Sequence, residues 1–176
     1  VITPEHSSMT WNGEDYPFDS WEADQNLKSA MHNSVNWYFH TIDSRVGFDS
    51  VKAFLQTIGY GNQTTSTNLD LYWTDFSLKI SPIEQVELLK KFHKNEFQFQ
   101  PQNINAVKDA LYLSSTTNGS LYGKTGTGRV DGQDVNGWFI GYIEKSDNIY
   151  YFATNIQGTS KTTGSKAMEI TLSLIH

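Results

Sequence analysis

Apolar residues change their spacing once along this chain, and the change divides it into a helical part and a strand part. From Asp24 onward Leu27, Ala30, Met31, Ser34, Tyr38 and Ile42 follow a helical period and predict one long helix. A second helix reads from Asp49 as N-cap through Val51, Phe54, Leu55 and Ile58, with Gly59 just past its end. A third opens with Ser81-Pro82-Ile83-Glu84, a capping box with proline at the first helical position, and carries Ile83, Val86, Leu89 and Phe92. A weaker helix covers about Asn103 to Leu111. After Asn118-Gly119 the pattern turns to strand: Leu121–Thr127, then Gly137–Glu144 and Ile149–Asn155 as a hairpin around Lys145-Ser146-Asp147-Asn148. Residues 165–176 return to helix, with Ala167, Ile170 and Leu174 on one side. Ahead of all this, Trp11, Tyr16, Pro17, Phe18 and Trp21 predict an irregular but packed opening stretch. A helical front half, antiparallel strands and a closing C-terminal helix make an α+β fold.

Bulk properties narrow the function. The 176 residues predict one domain with a sizeable core. A net charge of −6 argues against nucleic acid, which selects a basic face. The densest basic run, Lys90-Lys91-Phe92-His93-Lys94, falls where a helix ends, and cations are favoured there in any protein. With no cysteine, thiolate chemistry and cysteine-ligated zinc are excluded, and the histidines show no metal-binding spacing. No apolar run approaches the ~20 residues of a membrane span.

Chemistry concentrates around Ser120-Leu-Tyr-Gly-Lys-Thr-Gly-Thr127. A phosphate-binding P-loop needs a glycine five residues before Gly123, where Asn118 stands, and a helix after the lysine. Lys124 is succeeded instead by T-G-T-G-R-V-D-G, with no helical period, so that reading fails. Two other short motifs precede it. Ser34-Val35-Asn36 lies in the first helical stretch, with a hydroxyl on the apolar stripe that needs a hydrogen-bond partner. In a continuous helix Asn36 stands about 200° around the axis from Ser34, so both face one pocket only if the helix breaks. Tyr60-Gly61-Asn62, after the second helix, is turn chemistry by itself.

Taken in order, Ser-x-Asn, Tyr-Gly-Asn and Lys-Thr-Gly-Thr resemble the second and third active-site motifs of the penicillin-recognising serine acyltransferases. Tyr60-Gly61-Asn62 is similar to class D β-lactamases and the BlaR/MecR receptors. The resemblance extends through M-T-W-N-G at 9–13, Y-W-T-D-F-S-L-K-I-S-P-I-E-Q-V at 72–86 and G-W-F-I-G-Y at 137–142. It implies a β-lactamase/transpeptidase-like fold, helices packed against an antiparallel sheet. One departure is large: no lysine here has a serine three residues before it, so the family's nucleophile motif S-x-x-K is missing. In relatives it precedes M-T-W-N-G, and the expectation is that it lies upstream of Val1. Residues 1–176 then form the C-terminal portion of one penicillin-binding sensor domain.

The resemblance also implies roles. Ser34 relays a proton to the departing lactam nitrogen. Lys124, Thr125 and Thr127 receive the substrate carboxylate, Gly126 lets it approach the strand, and the Thr127 N–H donates to the oxyanion. Trp73 orients a carbamylated lysine, Trp138 and Gly141 hold the strand from behind, and Lys166 adds a cation near the carboxylate. Asn36 decides the class. Class D enzymes carry an apolar residue there, which keeps the lysine carbamate dry, whereas an amide admits water and stalls hydrolysis. The expectation is therefore a β-lactam sensor, covalently occupied by β-lactam antibiotics and needing no cofactor or metal. Its partner is a transmembrane zinc protease half of the same chain, and the sensor faces the outside of the cell membrane. The alternatives are a class D-like β-lactamase and a penicillin-binding transpeptidase.

Overall fold

The computed structural model describes residues 3, 6–65, 72–74 and 76–175, so Asp75 of the 72–86 motif lies outside the described residues. Among the described residues, six α-helices and four strands run in the order α1 (Leu27–Asn33), α2 (Asn36–Val46), α3 (Phe48–Ile58), α4 (Pro82–His93), α5 (Pro101–Leu111), β1 (Tyr112–Thr116), β2 (Gly119–Val130), β3 (Gln133–Glu144), β4 (Ile149–Gln157) and α6 (Gly164–Leu174). The strands form one antiparallel sheet in the order β1-β2-β3-β4. This is the α+β arrangement the spacing predicts.

Side-chain parity sorts the layers, because alternate residues of a strand face opposite ways. Thr125, Phe139 and Thr154 stand side by side in register. Thr154 accepts a hydrogen bond from Thr171 of α6, and Phe139 and Ala167 are fully buried, so this face packs on α6. The opposite face carries Tyr122, Tyr142 and Tyr151, and His93 at the end of α4 meets the last two rings edge-on. Lys124 shares that parity and faces the front helices. Two further cores sit within those helices. Met9, Trp21, Ala30, Val35 and Tyr38 form one, where the Tyr38 hydroxyl donates to the Ser7 carbonyl. Val51, Leu55 and Tyr72 form the other.

Several expectations need correction. The helix expected from Asp24 is two helices, α1 and α2, broken at Ser34 and Val35. Helix α3 starts from Gly47 rather than from an Asp49 cap; Asp49 sits in its first turn, where a carboxylate favours the helix dipole. Ile83 is 78% exposed and Leu174 77% exposed, because each lies at a helix terminus that overhangs the core. Gln85 and Thr171 are buried in their helices instead, each with its polar group bonded. Strand β1 has no counterpart in the spacing: nearly all its side chains are exposed, so it has no apolar alternation to read. The capping box is as expected, with Ser81 accepting from Glu84 N–H while the Glu84 carboxylate accepts from Ser81 N–H. The basic run closes α4.

His93 carries a consequence for pH. Burial pushes its imidazole below the usual histidine range, and the positive charge of Lys108 adds to this; Glu144, 4.0 Å away, opposes both. The folded state therefore favours neutral His93 and binds fewer protons than the unfolded chain. Its contribution is intact above the unfolded pKa near 6.5 and declines as pH falls below it. Urea unfolding between pH 7.5 and 5 is expected to show a stability loss that His93→Gln removes. An identical pH slope in both proteins assigns the loss elsewhere.

Candidate active site

The break between α1 and α2 gives the site its corner. Ser34 ends α1 in the left-handed region, at φ 55° and ψ 45°, with its N–H turned back to the Ala30 and Met31 carbonyls. Val35 comes next, fully buried, and its N–H bonds to the Ala30 carbonyl at 2.9 Å. The Trp21 indole donates to the Asn33 carbonyl at 3.0 Å. Val35 and Tyr38 take the core positions, and Ser34 is turned outward. This resolves the geometric conflict between Ser34 and Asn36, since no continuous helix joins them.

Opposite the corner, Lys124 rises from β2. Its Nζ donates to Ser34 Oγ at 2.5 Å and to the Thr125 carbonyl at 3.0 Å, bridging residues 90 apart in sequence. Burial holds this amine below the usual lysine range. Because Ser34 Oγ accepts from the ammonium, its own proton is directed away from Lys124 and is free to be given elsewhere.

The edge of β2 at this point is open. β1 pairs with β2 only as far as Tyr122, so residues 123–130 have no described strand on that side. The Thr125 carbonyl turns to the Lys124 amine on this edge, and the two-residue period places the Thr127 N–H and carbonyl there as well. Gly126 adds no side chain, and a Cβ there would meet only Trp138 Cβ at 3.7 Å.

Thr127 is placed differently from the expectation. Its hydroxyl accepts from Gly164 N–H at 2.9 Å, which directs the side chain to the start of α6, on the face opposite Lys124. Thr125 shares that face. The cation and the hydroxyls thus stand on either side of the open edge. Trp138 pairs with Gly126 and so stands on the Lys124 face of the sheet rather than behind it, whereas Gly141 has the opposite parity and a Cβ there would lie 2.0 Å from the Tyr122 carbonyl oxygen. Lys166 is held by Glu169 at 2.9 Å on the surface of α6, its charge already satisfied.

Asn36 begins α2 and lines a groove of about 670 Å³ with Tyr16, Trp21, Trp37 and His40. Neither Ser34 nor Lys124 lines that groove. His40 stands one turn beyond Asn36 on α2, and its ring stacks on Trp73 at 4.6 Å and 18°. Trp73 is thereby carried to the helix face that presents Asn36. His40 belongs to none of the motifs; its i+4 spacing from Asn36 is the one trace of it in the sequence.

Tyr60-Gly61-Asn62 turns out to be a clamp. Asn62 N–H donates to the Lys79 carbonyl at 2.9 Å, its Oδ1 accepts from Lys79 N–H at 2.9 Å, and its Nδ2 donates to the Ser77 carbonyl at 2.8 Å. Gly61 lies so close beneath that a Cβ would sit 1.9 Å from the Lys79 carbonyl oxygen. The motif fixes the loop that carries Trp73 and Phe76.

Comparison with known proteins agrees with this fold. Residues 1–176 match the family model of the penicillin binding protein transpeptidase domain. The chain is 47% identical to the regulatory protein BlaR1 of Bacillus licheniformis over 99% of its own length, and spans 29% of that protein. It superposes on the solved C-terminal domain of the Bacillus licheniformis BlaR penicillin-receptor with a TM-score of 0.94 at 47% identity, covering 99% of this chain and 70% of that one. A class D β-lactamase from Bacillus subtilis superposes with a TM-score of 0.87 at 35% identity, over 96% of this chain and 68% of that one.

Proposed function

This chain belongs to the penicillin-binding-protein transpeptidase family, as a BlaR/MecR-like member with a class D β-lactamase-like fold, and we propose that it is the part of a receptor that captures β-lactam antibiotics as a long-lived acyl adduct. The observation that carries the reading is the bridge from Lys124 to Ser34 with Asn36 two residues beyond. The nucleophile is the serine of an S-x-x-K upstream of Val1. Its hydroxyl attacks the lactam carbonyl while the neighbouring lysine takes the proton. The new bond is serine Oγ to carbonyl carbon, and the bond that breaks is carbonyl carbon to lactam nitrogen. Ser34 gives its proton to that nitrogen and regains one from the lysine side, with Lys124 holding its oxygen in place. The Thr127 N–H receives the oxyanion on the open strand edge. Lys124 and the hydroxyls of Thr125 and Thr127 hold the carboxylate, and the Thr127 hydroxyl can still donate because its bond to Gly164 uses only an acceptor pair.

Asn36 then separates capture from turnover. Its amide stands where a hydrolysing relative keeps an apolar wall, and it disfavours the lysine carbamate that serves as deacylating base. The greater identity to BlaR than to the Bacillus subtilis β-lactamase supports the receptor. In this reading the remainder of the protein is a membrane-embedded protease half, with this part on the outer side. The second reading, a class D-like β-lactamase, rests on the close fold match to that enzyme.

Reaction of the full-length protein with a labelled penicillin, followed by peptide mapping, tests the proposal. A single labelled serine upstream of residue 1 is expected. Ser34→Gly is expected to keep the labelled position and slow acylation about 10²-fold, the size of one proton-transfer role. Label on Ser34 itself overturns the relay assignment, and absence of any adduct overturns the receptor.

A further inference from the structure

Phe76 is a bulky residue in the left-handed region, at φ 62°. That conformation costs about 1–2 kcal/mol for a side chain of this kind and persists only where neighbours impose it. They do so here: the Asn62 clamp grips Ser77 and Lys79, and Leu78 N–H bonds to the Tyr72 carbonyl at 3.2 Å. The consequence is a ring whose tip reaches the sheet. A Cβ at Gly128 would meet Cε1 and Cζ of Phe76 at 2.7 Å, so glycine there makes room for the ring.

Lys124, Gly126 and Gly128 alternate along one face of β2. Four residues of extended strand place the Phe76 ring about 13 Å from the Lys124 backbone. Between them the strand has no side chain on this face, and Trp138 and Asn136 stand beside it on β3. The result is a trough, bounded by the Lys124–Ser34 pair at one end and a phenyl ring at the other.

Resting on the receptor reading, we infer that Phe76 closes the end of this trough that receives the acyl side chain of a β-lactam, and so selects which members of the class acylate the protein. A bicyclic β-lactam carries its carboxylate and its acylamino group at opposite ends. With the carboxylate at Lys124 and Thr125 and the carbonyl oxygen at the Thr127 N–H, the acylamino group points onward along β2 to Gly128. There the Phe76 ring accepts a flat aryl group by aromatic contact and opposes one widened by ortho substituents.

The test uses the full-length protein, its Phe76→Gly and Phe76→Asn variants, and three probes. Glycine and asparagine both tolerate the left-handed region, so neither adds backbone strain. The probes are 6-aminopenicillanic acid, which has no acyl side chain, benzylpenicillin, and a penicillin with a 2,6-dimethoxybenzoyl side chain. Second-order acylation of 6-aminopenicillanic acid is expected to stay within about twofold of the parent. Relative to it, the dimethoxybenzoyl compound is expected to gain about tenfold in both variants and benzylpenicillin to lose several-fold, the discrimination a single pocket wall supplies. Unchanged ratios among the probes overturn the role of Phe76, as does an equal fall for all three, which marks a scaffold residue. A parent that none of the probes acylates removes the receptor reading itself, and this inference with it.

Discussion

Replacing Asn36 with valine is expected to convert a stalled acyl adduct into one that hydrolyses up to ~10³-fold faster, equivalent to about 4 kcal/mol in one barrier. The residue sits at the first position of α2, half-buried, on a face it shares with His40 and the Trp73 ring stacked on it. The groove it lines combines the rings of Tyr16, Trp21, Trp37 and His40 with polar Asn12, Thr41, Ser44 and Arg45, and at the start of α2 the amide brings water and hydrogen-bonding capacity to the wall. Valine removes both, at a helix-propensity cost below about 1 kcal/mol. The carbamate of the lysine proposed upstream is then expected to survive in a drier setting and act as general base for water. In the proposed mechanism acylation uses Ser34, Lys124 and the Thr127 N–H, none of which changes, so its rate is expected to hold. Added bicarbonate is expected to accelerate release further in the variant and little in the parent. Release of hydrolysed penicillin from both forms, with and without bicarbonate, measures this. Rapid multiple turnover by the parent marks a lactamase. A variant that stays acylated keeps the receptor and discards Asn36 as the cause.

The largest expected loss of stability comes from a single methyl group at Gly61. Gly59 and Gly61 both hold positive φ, 67° and 47°, and an alanine at either bears about 1 kcal/mol of left-handed strain. Only Gly61 has a backbone above it. A Cβ 1.9 Å from the Lys79 carbonyl oxygen and 2.8 Å from its carbon cannot be relieved by a rotamer change, and Gly59 has nothing within 4 Å. Gly61→Ala is therefore expected to push the 77–79 loop away and break the Asn62 bonds, for about 3–4 kcal/mol in all. For a chain of this size that corresponds to a fall in Tm of roughly 10 °C, against roughly 3 °C for Gly59→Ala. Displacement of Trp73 and Phe76 accompanies it. Equal melting of the two variants refutes the clamp.

Local signals are legible in this sequence, and non-local ones are not. The capping box at Ser81 and Glu84 and the Gly59 terminus are each written within four residues, and the hairpin strands β3 and β4 carry unbroken apolar runs. The break at Ser34 is invisible to spacing, because Leu27 through Ile42 satisfy one helical period and a serine gives no sign of a left-handed turn. Asn62 reads as a turn residue until its partners 15 and 17 residues away are known. The pairing of Ser34 with Lys124 is legible only in the order of three motifs; no propensity contains it. Thr127 stands on the expected strand, yet its hydroxyl goes to α6, since alternation along β2 opposes it to Lys124. His40 belongs to no motif, and Phe76 lies inside the 72–86 stretch without any sign there of its left-handed backbone; only packing brings their rings to the site.

The left-handed corner at residue 34 also limits how this site could drift during evolution. For the proposed relay the position must supply a hydroxyl, and the backbone there holds φ near 55°. Threonine keeps the hydroxyl, but its branched β-carbon makes that backbone a far poorer fit. Asparagine and glycine fit the backbone and lack the hydroxyl. A lineage can therefore abandon the relay in one step but cannot exchange it for a near equivalent, and serine is the only common residue that meets both demands.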